Sequence, residues 1–397
     1  MTERRKQFLA IAALVFISLV LRPPISAVGS LLNEISLKLN LTATEASLLT
    51  SVPVFCFGLG AFISPWLMRR FGLNHAMFGL LLVVFATLAL RVWFDFSILI
   101  VCTVMAGLGI AVANVLLPTF VRTDFKESAS FLTSIYTTIL AIAASFAAAF
   151  AVPWSAILGD WRVAMLTPLV PLAVAIFLWW PRLKAGEPHL AVASHAAKSE
   201  SREVYRSVHA WAILGFFGFQ SLGFYALLAW LPTMLISSGL EPGVAGALLG
   251  FGTAIGIPTG FALAPLIARL KSLSWLTATA SSFTTAGFAL LTVSISNADH
   301  SAILYLALIL ISCGQTATFP MSLSLIATRA TSKAQTTVLS AFAQGWGYLL
   351  SGVGTFVIGL IGASVSWVSA GWVIVGCCVV QVAVAFIAGA KSQIGSK

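Results

Sequence analysis

The chain has 397 residues, 59% of them hydrophobic and 9% charged, with a mean hydropathy of +1.00 and a formal net charge of +10. Soluble domains carry about 25% charged residues, so this composition excludes a water-soluble globular protein and, with it, the reading of the positive charge as a nucleic-acid surface. The five cysteines, Cys56, Cys102, Cys313, Cys377 and Cys378, lie in apolar stretches and offer neither a disulfide framework nor metal-ligand spacing.

A spanning helix needs roughly 20 apolar residues. Charged and turn-forming breaks divide the chain into twelve such stretches, near 8–30, 46–68, 75–92, 97–120, 130–154, 163–181, 209–235, 243–268, 273–295, 301–326, 336–361 and 367–390. The expectation is an all-α membrane protein of twelve transmembrane helices. The first stretch is long enough to span and ends without a small-residue cleavage site, so it reads as its own insertion signal rather than a cleaved leader.

Within that first stretch, "SLVLRPPISAVGSLL" places Arg22 and then Pro23-Pro24 midway along an apolar helix. Prolines lack an N–H, so the carbonyls around Ser18, Leu19 and Val20 lose partners and the helix is predicted to bend. An arginine at a helix centre costs about 2.5–3.5 kcal/mol. The functional reading is that Arg22 faces a wet cavity and holds an anionic or electron-rich substrate in its planar fork of donors. The plainer one is that it bonds the carbonyls freed by the prolines or snorkels to an interface.

Farther along, polar residues recur at comparable depth: Asn114 on the fourth span, Tyr136 on the fifth, Gln220, Ser221 and Tyr225 on the seventh, Gln315 on the tenth, and Gln344 and Tyr348 on the eleventh. Gln344 and Tyr348, at i and i+4, share a helix face. Each residue taken singly fits an interhelical hydrogen bond as well as a ligand contact; as a set they read as a substrate-binding lining. Trp230 fits either that lining or an interfacial aromatic belt. The glycine-rich "GLGI" run, 107–110, lies inside an apolar helix with no preceding strand and is no phosphate cradle. The chain carries no ATP-binding motif, which argues against a primary pump, and no cofactor or metal site is expected.

Loop charge sets the orientation. With both termini cytoplasmic, Arg4, Arg5, Lys6, Arg69, Arg70, Arg122, Lys126, Arg182, Lys184, Lys198, Arg202, Arg206, Arg269, Lys271, Arg329, Lys333, Lys391 and Lys397 lie inside. These are 18 of the 22 basic residues; Lys38, Arg91 and Arg162 fall outside and Arg22 within the membrane. This is the bias of the positive-inside rule. Of the twelve carboxylates, Glu3, Asp124, Glu127, Glu187, Glu200 and Glu203 map inside and Glu34, Glu45, Asp95, Asp160, Glu241 and Asp299 outside; the five histidines map to loops or helix ends. Proton-coupled carriers commonly use intramembrane Asp, Glu or His, and the assigned spans contain none. Arg22, which stays protonated, is the charged side chain expected near the midplane.

Residues 182–208 form the longest polar stretch and divide the chain into an N-terminal bundle, 1–181, and a C-terminal bundle, 209–397, with a cytoplasmic linker between them that suits a flexible connector or a short surface helix. The halves look like repeats. "SPWLMRR" (Pro65, Arg69) aligns with "APLIARL" (Pro265, Arg269), "LTATEASLL" (41–49) with "LEPGVAGAL" (240–248), and "SIYTTILAIAAS" (134–145) with "AFAQGWGYLLSG" (341–352). On the same offset, Gln220 or Ser221 is the counterpart of Arg22. Ordered matches of this kind point to a duplicated six-helix unit, the parallel-repeat architecture of major facilitator transporters, with a substrate site between the halves.

The sequence resembles the cyanate transporter-like branch of the major facilitator superfamily, which also includes nitroimidazole transporters. The resemblance rests on "LRPPISAVGSLL", "GIAVANVLLPTFVRTDF", "FQSLGFYALLAWLPTML", "GQTATFPMSLSLIATRA" and "LSAFAQGWGYLLSG" and covers nearly the whole chain. It departs from the family where Ser30 replaces a common Pro, where Thr123 and Asp124 follow Arg122, and where Arg69 takes the Asp position of the loop pattern DRxGRR while Arg70 and Gly72 are kept. The resemblance implies substrate contact by Arg22, Asn114, Gln220, Tyr225, Gln344 and Tyr348. It also implies a monomeric, multi-pass carrier of the bacterial inner membrane that moves a small anionic solute by alternating access. A co-transported proton or an exchange partner would be needed for accumulation; the other substrate class is neutral nitroaromatics, with Phe55, Phe57 or Trp346 as stacking partners.

Overall fold

The computed structural model describes residues 3–125, 128–184, 197–260, 262–263, 270, 272–298, 301–391 and 394. The first transmembrane stretch is two helices, α1 (Glu3–Ser18) and α2 (Pro23–Leu39), separated at Leu19–Arg22. The predicted bend is there. The Val20 and Leu21 amides both turn back to the Ile17 carbonyl, at 3.0 and 3.2 Å, and α2 restarts with the Ile25 and Ser26 amides donating to the Arg22 carbonyl. Pro23 and Pro24 take the first two positions of α2, where a missing N–H breaks no helical bond. The span expected to end near residue 30 instead continues to Leu39, where Asn40 caps it in the left-handed region at φ 51°. Glu34, expected beyond the span, therefore lies on the helix, and the Ser155 hydroxyl donates to its carboxylate at 2.9 and 2.8 Å.

Next, α3 (Ala43–Leu90) opens on a capping box between Thr42 and Glu45 and runs for 48 residues. At 1.5 Å per residue that is about 72 Å, more than twice a hydrocarbon core. Gly72 divides it, with φ 76° and ψ 171°, a conformation open to a residue without Cβ. Among the described residues eleven helices are long and apolar enough to cross a membrane; because α3 is two helices joined across the kink at Gly72, they correspond to the twelve expected.

The first half is completed by α4 (Phe96–Asp124), α5 (Ala129–Leu158), α6 (Trp161–Leu166) and α7 (Leu169–Trp179). After α8 (Ala197–Arg206) come α9 (Val208–Ser237), α10 (Pro242–Ala254), α11 (Ser274–Ser296), α12 (Ala302–Arg329), α13 (Lys333–Ser364) and α14 (Trp367–Ala388). The matched repeats "LTATEASLL" and "LEPGVAGAL" open equivalent helices, α3 and α10; "APLIARL" falls largely outside the described residues.

The chain forms two compact units, Met1–Ala191 with Pro242–Gly250, and Val192–Glu241 with Phe251–Lys397. In the first, α3 packs on α4, α2 on α5 and α1 on α7. Ser30 bridges α2 to α5 through its hydroxyl on the Ala148 carbonyl at 2.8 Å, a bond unavailable to proline at that position. In the second, α11 packs on α12 and α14, and α9 on α13 and α14. Close approach depends on glycine: a Cβ at Gly287 would stand 2.7 Å from the Ile311 amide nitrogen.

Within the linker, α8 is a short helix docked on the second unit: Val204 is buried in its core, Tyr205 meets Phe342 at 4.7 Å, and Glu203 accepts from Gln335 Nε2 at 3.1 Å. One expectation about a charged residue changes. Arg91, expected in an outer loop, is 2% exposed. The turn joining α3 to α4 is too short to carry it away, and its side chain folds inward under α2.

Candidate functional site

The first unit holds three of the expected site residues, one at a helix break and two on helices. Arg22 is half-buried at the α1–α2 break, and its carbonyl also accepts from the Ser26 hydroxyl at 3.3 Å. Asn114 on α4 is half-buried and spends one amide N–H on its own helix, donating to Ile110 O at 3.0 Å. Tyr136 on α5 is 7% exposed.

The second unit draws its residues into pairs. Gln220 on α9 donates from Nε2 to Gln315 Oε1 on α12 at 2.9 Å, and Ser221 donates to Gln220 Oε1 at 3.3 Å. All three are at most 4% exposed. Gln315 Nε2 is buried with no hydrogen-bond acceptor, and Gly223 makes room for it, since a Cβ there would lie 2.7 Å away. Tyr225 on α9 meets Tyr348 on α13 edge-on with centroids 6.2 Å apart, and Phe217 packs edge-on to Tyr348 at 4.9 Å. Gln344, one turn before Tyr348, donates to Ser340 at 2.6 Å on its own helix. Trp230 is no interfacial residue: it is 2% exposed, donates to Thr355 O at 2.9 Å and packs on Trp367.

This arrangement contrasts a cation with an amide at positions related by the repeat. Arg22 sits at a break in its helix; Gln220 sits in unbroken α9 and is tied sideways to α12. The first can bind negative charge through a rigid set of donors. The second offers a buried pair of amides in which Gln315 Nε2 still has N–H capacity to spare.

Two arginine clusters escaped the sequence reading. At the start of the second half of α3, Asn74 accepts from Trp179 Nε1 on its carbonyl at 3.0 Å and from Arg182 Nε on its amide oxygen at 3.2 Å. Arg182 also pairs with Asp124 at 2.6 Å and lies over the rings of Phe120 and Trp179 at 4.6 and 4.9 Å. So Asp124, one of the departures from the family pattern, has a counter-charge inside the first unit. At the far end of that helix segment stands the buried Arg91. The signal available in the sequence was the spacing itself: Asn74 and Arg91 bracket one apolar span.

The family model of the Major Facilitator Superfamily matches residues 8–355. The 2-nitroimidazole transporter of Escherichia coli (strain K12) is 30% identical over 357 residues, 90% of this chain and 89% of its own. The cyanate transport protein CynX of the same organism is 26% identical over 258 residues, covering 64% and 66%. Among solved structures, a D-xylose-proton symporter superposes with a TM-score of 0.77 over 96% of each chain at 13% identity, a likeness of fold. These relatives are transporters rather than enzymes, and the repeat, the helix count and the matched motifs agree with them: the chain belongs to the Major Facilitator Superfamily, in the branch its motifs resemble.

Proposed function

We propose that this multi-pass transporter of small solutes carries a small anion of the cyanate type across the bacterial inner membrane by alternating access, with Arg22 as the anion's principal contact. The observation that carries the reading is Arg22 itself: a permanent cation, half-buried, held at a non-helical break in an otherwise apolar membrane stretch. Asn114 and Tyr136, and from the second half Gln220, Ser221, Tyr225, Gln315, Gln344 and Tyr348, complete the proposed contacts as neutral donors and aromatic walls. A monovalent anion entering a negative-inside cell is opposed by about 2.3 kcal/mol per 100 mV. Export, exchange, or movement down the solute's own gradient meets that cost without a proton carrier in the protein.

The test is uptake by proteoliposomes of cyanate, bicarbonate, nitrate and small carboxylates, with and without a pH gradient and a membrane potential. Saturable cyanate flux that falls about 10- to 100-fold in Arg22→Ala is expected, the loss of one charge-assisted contact. If no anion moves or competes, the reading is wrong. A second reading, export of neutral nitroaromatics, is favoured by the extent of the match to the 2-nitroimidazole transporter. Cell survival in a nitroimidazole separates the two: protection that Arg22→Ala leaves intact would support that solute class without the arginine.

A further inference from the structure

We propose that Arg91 and Trp161 form a second anion-binding site, at the α3–α4 end of the first unit, for a small monovalent anion such as nitrate. The site is built from donors that nothing in the protein serves. Arg91 is 2% exposed, and one nitrogen, Nη1, donates to the Pro24 carbonyl at a long 3.3 Å. Nε and Nη2 are buried with no acceptor. The next carbonyl along the chain, that of Val92, accepts from Arg162 Nε at 2.8 Å, and Arg162 follows Trp161. Trp161 is 1% exposed and its Nε1 also has no acceptor. Arg91 and Trp161 are thus the chain neighbours of Val92 and Arg162, the two residues that this hydrogen bond joins.

The nearby carboxylates are engaged elsewhere. Asp160 holds the Arg162 amide at 3.0 Å and its guanidinium at 3.4 Å, Asp95 caps α4 through the Ile98 amide at 3.2 Å, and Glu34 takes the Ser155 hydroxyl. Among the described residues Arg91 has no ion pair. A water molecule would accept its hydrogen bonds and leave the charge unmet; an anion does both. A carbonyl or nitro oxygen of a neutral solute would, like water, serve the donors and leave the charge unmet, and the flat edge formed by Nε and Nη2 suits two oxygens of a planar oxyanion. One unmet charge calls for a monovalent partner. Because Arg91 is fastened to Pro24, two residues past Arg22, the occupant braces the start of α2.

This site does not depend on the role proposed for Arg22, and the experiment keeps them apart. Purified full-length protein in detergent is titrated with sodium nitrate against sodium gluconate at equal ionic strength, and thermal unfolding is followed. A saturable rise in midpoint, about 2–5 °C at a hundredfold excess over Kd, is expected in wild type and in Arg22→Ala. Arg91→Gln should abolish it. Trp161→Phe, which removes one donor and keeps the packing, should weaken nitrate about 3- to 10-fold and decides the matter if Arg91→Gln fails to fold. A wild-type nitrate response in Trp161→Phe or Arg91→Gln, or no saturable response in wild type, overturns the site. Loss of the response in Arg22→Ala with retention in Arg91→Gln also overturns it, while leaving the proposed function standing.

Discussion

Arg182 and Arg91 serve opposite ends of one helix segment. Arg182 is bonded to Asn74 and Arg91 lies 17 residues farther along α3, about 26 Å at the helical rise. Around Arg182 every kind of partner is present: a carboxylate, an amide oxygen and two aromatic faces. Around Arg91 there is one long bond to a carbonyl. The same side chain is therefore a clamp in one place and an unmet charge in the other. Its worth is set by the acceptors that the neighbouring helices bring, not by its burial.

The largest effect expected from this contrast is at the satisfied end. Arg182→Ala strands Asp124, removes the bond to Asn74 and uncovers Phe120 and Trp179. The ion pair is partly exposed, with side-chain exposures of 17% and 24%, which discounts its share. The combined loss should be about 2–3 kcal/mol, read as a lower unfolding midpoint. A cycle with Asp124→Asn isolates the pair, and additive single effects would show that the clamp is packing alone.

At the other end the sign should reverse. Replacing an unpaired buried charge by an apolar side chain of similar volume is often neutral or stabilising by about 1–4 kcal/mol. Arg91→Met should therefore raise the unfolding midpoint in anion-free buffer, by about 1 kcal/mol after the bond to Pro24 is lost. The gain should shrink as nitrate is added, because nitrate stabilises only the wild type. A drop in midpoint as large as that of Arg182→Ala would erase the contrast between the two ends.

The spacing of Asn74 and Arg91 was legible in the sequence but the partners of neither cluster were, and the reason is the same for both. Hydropathy marks where a helix can cross, because every span must bury a similar apolar length, so twelve passes and the break at Pro23-Pro24 were readable. It does not say which helix supplies a partner for a charge. Glu34 looked like the end of a span because its acceptor role toward Ser155 comes from a residue 121 positions away. Asp124 looked like a loop residue for want of Arg182, and Arg91 because a loop arginine normally faces water. Gln344 and Tyr348 share a helix face by spacing, yet the Gln344 amide turns back to Ser340, a local choice that periodicity does not reveal. The polar pairs of the second unit were named residue by residue, but the joining of Gln220 to Gln315 needed the packing of α9 on α12.

That neutral pair provides the smallest and most discriminating test. Gln220 and Gln315 share one hydrogen bond between buried amides, with Gln315 Nε2 already unserved. Interhelical hydrogen bonds in membranes average about 0.6 kcal/mol and reach about 1.7. Gln220→Leu should cost toward the upper figure, because it leaves the whole Gln315 amide without a partner as well as breaking the bond. Adding Gln315→Leu should recover part of the loss, since replacing both members removes the stranded group. Thermal unfolding of the two single variants and the double checks the order. If the double variant is the least stable, the pair holds α9 to α12 through more than its hydrogen bond. If it is the most stable of the three, the cost lay in the stranded amide, a neutral and weaker form of the penalty that Arg91 carries with a full charge.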